Sequence, residues 1–557
     1  MDIKKYISDK ICEMFNVDSV VIERPPKDEM GDFSLQCASL RNEALKSPFD
    51  VANYIKENFL DDEKIFNELK VMGPYINFYL NYELLACKVI NEVESKLDKY
   101  GSNNQGRGEG LLIEHTSINP NAEPHMGRCR NSLIGDFVSN LFKFTGYDVE
   151  RHYFINDLGK KIALLVLGIE KYGLNGNDFK DILDVYVKIS REAKDDLSIE
   201  QMAFDYLERV ENGDSLMIEK FKSITDKCVS GQMKIFSELN ISFDKFTHES
   251  DYVYGHYLND ILDKLREKNK LREDENGRYY VDLEGYDIPT REPVLVLTRS
   301  NKTSLYPIKD IAYSIYKIGL NSKNNYIVLG EDQEVYMKQI SAVLDILGYS
   351  SPKLISYSYV LLDGEKMSTS NGTLVLVSDF MRELRSILKS EFEKRSLEVD
   401  DEKLNILANA CVKFTMLNVS KNKIVNFNIE NATSFAGESG IYILYSLVRI
   451  NSILNNNCDI EKVDDIRFTT DIEKKLIRDL YDFNSVVDSL LNTLEPAHLT
   501  KYIFNLTQDF SRFYEEINIS NEKDIVLKSS RLRLLECVKV TLTNALGVLG
   551  ISTIDKM

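Results

Sequence analysis

LLIEHTSINPNAEPHMGR, residues 111–128, begins as an apolar run from Leu111 to Ile113 and turns polar at Glu114. It then passes Asn119-Pro120-Asn121 and Pro124 before a helical pattern takes over. In that pattern Leu133, Ile134, Phe137, Val138 and Leu141 share one face, the spacing of an amphipathic helix. A second strand-like run, Val149 to Ile155, follows Gly146. The unit therefore reads strand, helix, strand, with its loop at the carboxyl end of the first strand, where open α/β sheets bind ligands. A helix start there offers backbone N–H groups and a positive dipole end to a phosphate.

Around this unit the chain is long, 557 residues, enough for three or four domains. Its 43% hydrophobic and 28% charged residues are those of an ordinary globular protein. No apolar run approaches the roughly 20 residues that cross a bilayer, and MDIKKYISDK at the start has no signal-peptide core, so a cytoplasmic location away from membranes is expected. The 8 cysteines are scattered without a Cys-x-x-Cys pair or a nearby His, which favours free buried thiols and no metal centre. A net charge of −19 excludes indiscriminate nucleic-acid binding, so any such partner must be gripped locally.

Residues 2–16 form a helical pattern with Ile3, Ile7, Ile11 and Met14 on one face, and Ser47-Pro48 caps a second helix reaching about Phe59. Gly73-Pro74 separates two strand-like runs, the second alternating Ile76, Phe78, Leu80. Gly101 to Gly110 has a linker's composition. The segment from about 160 to 250 has helical spacing and many charges, as an insertion would. Beyond about residue 390 the pattern is purely helical, with five segments: Leu404–Val419, Ser434–Leu454, Ile472–Leu494, Leu499–Tyr514 and Val526–Leu549.

Three further motifs carry chemistry. An apolar VLVL run (294–297) leads to Leu305-Tyr306-Pro307-Ile308-Lys309-Asp310, where Pro307 suits a helix start and puts Asp310 in the first turn. There its carboxylate could favour the helix dipole or receive a guanidinium, whose planar donors need matching carboxylate geometry. A strand from Tyr326 to Leu329 ends in Gly330-Glu331-Asp332-Gln333, and Gly364-Glu365-Lys366-Met367-Ser368-Thr369-Ser370-Asn371-Gly372 is a loop with glycines at both ends, suited to closing over a substrate.

In this order the motifs resemble those of class I aminoacyl-tRNA synthetases. Pro124-His125-Met126-Gly127-Arg128 is similar to His-x-Gly-His, with Arg128 in place of the final His, and Lys366-Met367-Ser368-Thr369-Ser370 to Lys-Met-Ser-Lys-Ser, with Thr369 in place of the second Lys. The frame from Glu114 resembles arginyl-tRNA synthetases in particular, and the resemblance covers essentially the whole chain. It implies a Rossmann-like parallel-sheet catalytic domain (106–390, insertion about 160–250), an N-terminal α+β domain (1–105) that contacts the tRNA elbow, and a C-terminal α-helical bundle (391–557) that binds the anticodon.

The resemblance further implies an arginine-tRNA ligase that uses ATP with Mg²⁺ and has L-arginine and tRNA(Arg) as partners; the sequence gives no reason to invoke an oligomer, so a monomer is expected. It assigns catalysis to His125, Arg128 and Lys366, and ATP binding to His125, Gly127, Arg128, Gly330, Asp332, Lys366, Met367 and Ser368. Arginine binding falls to Glu114, Ser117, Asn119, Tyr306, Asp310 and Gln333, and tRNA binding to Tyr442, Tyr445, Arg449, Tyr514 and Met557. Members that lack the second Lys of the loop place one shortly before His-x-Gly-His, where this chain has Ala122, and the anticodon helix has Pro where Ile441 stands. Arg128, Ala122 and Thr369 motivate an alternative, a catalytically impaired tRNA-binding paralogue. Against it, Glu114, Asn119, His125, Asp310 and Gln333 are intact.

Overall fold

The structure, a computed structural model, describes residues 2–174, 176, 178–253, 257–320, 324–362, 365–366, 375–460 and 462–556. These pack as two compact units, Met1–Leu97 with Ile453–Asp482 and Asp509–Val540, and Asp98–Ser452 with Phe483–Gln508 and Thr541–Met557. Segments of the C-terminal helices belong to each.

In the first unit four antiparallel strands stand in the order Ile22–Glu23, Phe33–Gln36, Tyr75–Leu80, Phe66–Met72. The last two meet in a hairpin that turns through Gly73 at φ +60°. Helix Ile3–Phe15 buries Ile3, Ile7 and Ile11. Helix Pro48–Asn58 begins with a capping box, in which the Ser47 hydroxyl and the Asp50 carboxylate each accept the other's backbone N–H.

The second unit is built on five parallel strands: β1 (Gly110–Glu114), β2 (Asp148–Ile155), β3 (Lys245–His248), β4 (Asn324–Gly330) and β5 (Lys353–Tyr357). Their order is β5-β4-β1-β2-β3, so the chain reverses direction across the sheet between β1 and β4. That switch opens a crevice at the carboxyl ends of β1 and β4. Helix α1 (Met126–Phe144) follows β1, and α2 (Tyr306–Gly319) and α3 (Glu334–Leu347) flank β4 in the sequence. Four helices between β2 and β3, Lys160–Tyr172, Phe179–Asp195, Leu197–Glu211 and Ser215–Glu238, bury a core of their own around Leu165, Ile189, Phe221 and Cys228.

The VLVL run does form a strand: Val294–Val296 pairs antiparallel with Tyr279–Asp282 in a separate three-stranded sheet. Three readings of the sequence need correction. Val425–Phe427, beyond residue 390, is a strand that runs parallel to Val360–Leu362, so that region is not purely helical. The 101–110 stretch is no free linker, because Gly106 and Gly108 donate their N–H groups to Thr145 and Gly146 (3.0 and 2.7 Å). Its glycines allow close approach, for a Cβ on Gly106 would lie 2.3 Å from the Tyr147 nitrogen. Cys458 is exposed, whereas Cys37, Cys129, Cys228, Cys411 and Cys537 are buried.

Candidate active site

Glu114 ends β1 with its carboxylate buried and ion-paired to Lys317 of α2, whose ammonium also lies 4.5 Å from the centre of the Tyr313 ring. The next turn is strained: Thr116 and Ser117 have φ of +74° and +45°, unusual for side chains with a Cβ and above all for a β-branched one. Asn131 of α1 holds that turn, its Oδ1 accepting the Thr116 N–H (2.6 Å) while its Nδ2 donates to the Val328 carbonyl of β4 (2.7 Å). One amide thus ties the two strands of the crevice together. The Ser117 hydroxyl accepts the Phe154 N–H at 3.1 Å. Asn119, half-buried, has no side-chain hydrogen bond among the described residues, and its backbone carbonyl accepts from Gln232 (3.0 Å), which also donates to the Ala122 carbonyl (2.7 Å).

Asp310 lies on α2. The helix begins at Tyr306, with Pro307 as its second residue, so Asp310 sits beyond the first turn where a dipole effect is concentrated. That removes the helix-dipole account of this carboxylate. Its Oδ2 accepts a short hydrogen bond from the Tyr336 hydroxyl of α3. Burial, with Glu114 and Glu249 adding like charge, pushes the Asp310 carboxyl up to about 7. Glu249 is itself buried and ion-paired to Lys309 at 2.9 Å, and Asp157 accepts from the Ser250 amide and hydroxyl (2.9 and 2.6 Å). Among the described residues Asp310 has no cationic partner, although the carboxylates around it are paired or hydrogen-bonded. Tyr306 is exposed, with Lys309 5.8 Å from its ring centre.

His125 is the N-cap of α1, and Arg128 projects exposed from the first turn with no side-chain partner among the described residues. Burial, and then the charge of Arg128, press the His125 imidazole down to about 4, and its Nδ1 is buried without a hydrogen-bond partner. The helix start is less open than the sequence suggests, since the Met126 N–H donates to the Val375 carbonyl (2.9 Å). After β4, Gly330 precedes Asp332, which accepts from the Gln333 amide at 2.8 Å. Lys366 is placed only as backbone, in the two-residue strand Glu365–Lys366, while Met367, Ser368, Thr369 and Met557 lie outside the described residues.

On helix Gly440–Asn456, Tyr442 packs against Phe504, and Tyr445 lies between Phe435 and the Arg449 guanidinium, 4.5 Å from its ring centre. Tyr514, exposed, belongs to the first unit.

The residue that sequence reasoning missed most completely is Arg130. Its fully buried guanidinium donates to the carbonyls of Ser358 and Lys423 (2.7 Å each) and of Val419 and Ser420 (2.9 Å each). Through these bonds α1 holds both the segment entering strand Val360–Leu362 and the turn after helix Asp401–Leu417. Gln232, deep in the helical insertion, was also missed. Neither belongs to a motif.

A parallel sheet with His-x-Gly after β1 and Gly-x-Asp after β4, both at the switch point, is the architecture of a class I aminoacyl-tRNA synthetase. Family profiles agree along the chain: "tRNA synthetases class I (R), catalytic domain" matches residues 90–431, "DALR anticodon binding domain" 443–557, and "Arginyl tRNA synthetase N terminal domain" 1–80. Relatives named arginine–tRNA ligase include one from Methanocaldococcus jannaschii, 32% identical over 100% of this chain and 98% of its own. Another, from Methanosphaera stadtmanae, is 31% identical over 97% and 96%. The fold matches Thermus thermophilus arginyl-tRNA synthetase with a TM-score of 0.84 at 24% identity, covering 100% of this chain and 99% of that one. The chain belongs to the arginyl-tRNA synthetase family, and is an enzyme of the ligase class.

Proposed function

We propose that the chain joins L-arginine to tRNA(Arg), acting in the crevice between β1 and β4. Arginine attacks the α-phosphate of ATP, pyrophosphate leaves, and the adenylate passes its arginyl group to the 3′-terminal adenosine of the tRNA. The observation that carries the arginine assignment is Asp310. Glu114 is paired to Lys317, Glu249 to Lys309, and Asp157 accepts two hydrogen bonds from Ser250, whereas Asp310 meets the Tyr336 hydroxyl and has no ion pair among the described residues. A guanidinium supplies one, together with planar donors for both oxygens. Tyr306 offers a flat neighbour, Asn119 and Gln333 offer amides for the substrate's amino end, and Glu114 and Ser117 shape the pocket while held by Lys317 and the Phe154 amide.

The ATP side falls to His125, Gly127, Arg128, Gly330, Asp332 and the segment from Lys366 to Ser368. No covalent enzyme intermediate is implied, so the rate rests on positioning and on charge stabilisation at the phosphates. Because His125 is neutral at pH 7, Arg128 is the permanent charge at the start of α1. Arg128→His alone should slow adenylate formation, and adding Thr369→Lys should restore much of the loss. Additive effects of the two substitutions in single-turnover assays would show that they do not share a phosphate. Mg²⁺ enters with ATP as part of the substrate.

Regions 1–105, with the tRNA elbow, and 391–557, with Tyr442, Tyr445, Arg449, Tyr514 and Met557, take the tRNA, whose splayed anticodon bases suit aromatic and arginine side chains. The working form is a cytoplasmic monomer. The test of the arginine assignment is ATP–pyrophosphate exchange with tRNA(Arg) present. Asp310→Asn should weaken arginine's transition-state binding by about 2–5 kcal/mol, the scale for breaking a buried charge pair. An unchanged kcat/KM for arginine would remove Asp310 from the pocket.

A further inference from the structure

Tyr336 belongs to no motif recognised in the sequence, yet its hydroxyl is the side-chain group bonded to the carboxylate that lacks a cation. The phenol comes from α3 and the carboxylate from α2, so the bond spans two helices that share a hydrophobic core, in which Ile308, Ile311, Ala312, Met337 and Ile340 are buried and against which the Tyr336 ring packs. Tyr336 reaches Oδ2 alone. Each carboxylate oxygen has two lone-pair sites, so one hydrogen bond fixes the plane of the group and leaves both oxygens able to accept a fork of N–H donors.

We propose that Tyr336 is a positioning and specificity residue for arginine: it orients the Asp310 carboxylate for two-point recognition of the guanidinium and favours its ionised form while the pocket is empty. The proposal rests on Asp310 as the guanidinium receptor. The charged and titratable groups that face Asp310 are Glu114 from β1, Glu249 from the loop after β3, Lys317 from its own helix and Tyr336 from α3. Burial, Glu114 and Glu249 favour the protonated acid, and a protonated carboxyl repels nothing but holds no cation. Tyr336 and Lys317 act in the opposite sense. Lys317 is committed to Glu114, which leaves the phenol as the group that both touches Asp310 and favours its charge.

The experiment compares wild type, Tyr336→Phe and Asp310→Asn in aminoacylation assays from pH 6 to pH 9. Phe keeps the ring and removes one hydrogen bond to a charged acceptor. KM for arginine in Tyr336→Phe should rise about tenfold at pH 7, with kcat and KM for ATP close to wild type. Loss of the hydroxyl should also move the acid limb of kcat/KM for arginine to higher pH, so the gap from wild type narrows towards pH 9, where Asp310 is ionised in both. A merely structural tyrosine would change KM for ATP as well, or leave the limb in place, and either result overturns the proposal. If Asp310→Asn binds arginine as wild type does, the pocket assignment itself fails. If Asp310→Asn loses arginine while Tyr336→Phe keeps both KM and the limb, the assignment stands and the role of Tyr336 falls.

Discussion

Folding makes Asp310 harder to ionise than it is in the unfolded chain. Burial and two neighbouring carboxylates raise it to about 7 in the folded chain, against about 4 when unfolded. Between those values the folded protein binds more protons than the unfolded one, so this group's contribution to stability falls as pH rises from about 4 to 7, and the loss is complete above 7. Asp310→Asn abolishes that penalty. The variant should therefore melt about 2 °C above wild type at pH 8, even though it has lost its affinity for arginine, and the advantage should vanish at pH 4.5. Thermal unfolding at the two pH values checks this; equal midpoints at pH 8 would mean the free pocket puts no strain on its carboxylate. His125 behaves in the opposite way. Its low value leaves the ring neutral through the working range, so no limb between pH 5 and 8 in kcat/KM for ATP should disappear when His125 is replaced by Gln.

At the scale of elements, α1 shows what could and could not be read from residues. Its apolar face, the five C-terminal helical segments and the two strands around Gly73 lie close to where spacing puts them, because periodicity is local information. The motifs of the crevice were legible for a related reason, as each sits in a short run at a strand end. The buried polar side of α1 was not legible. Asn131 meets Val328 197 residues away, Arg130 meets carbonyls 228 to 293 residues away, and Asp136 pairs with Lys413 at 277. Nothing local distinguishes such residues from a solvated face until the partner is in place. Lys413 also donates to the Gly550 carbonyl at 2.8 Å, and Gly550 stands at φ +69°, where a Cβ would lie 2.3 Å from both charged atoms. A glycine near the end of the chain is thus required by an ion pair between two distant helices. Lys413→Met should destabilise this unit by about 3–5 kcal/mol in urea unfolding, since it strands Asp136. Adding Asp136→Leu should recover most of that, and a double variant no better than the single one would show that the pair is not what couples these helices.

For the whole molecule the difficulty is to bind a polyanion with a net charge of −19. Long-range repulsion works against the approach of tRNA, so affinity must come from local contacts, and under the proposed function the Tyr445–Arg449 pair on the helix Gly440–Asn456 is one of them. Such a surface neutralises few phosphates. Affinity for tRNA(Arg) should then fall gently with salt, with a log–log slope of about −2 to −4, the value for roughly three or four phosphate contacts, in contrast to the slope near −10 of a strongly basic binder. From the family resemblance we expect arginine activation to require the tRNA, which would convert this binding property into a kinetic one. ATP–pyrophosphate exchange at limiting tRNA should drop with the same shallow slope as KCl is raised, and saturating tRNA should bring it back at every salt concentration, because the loss is one of occupancy. Exchange that proceeds equally well without tRNA would break that link and count against the activation step proposed above. A steep slope would leave the link intact, and would point instead to a concentrated basic surface that overcomes the acidity of the chain.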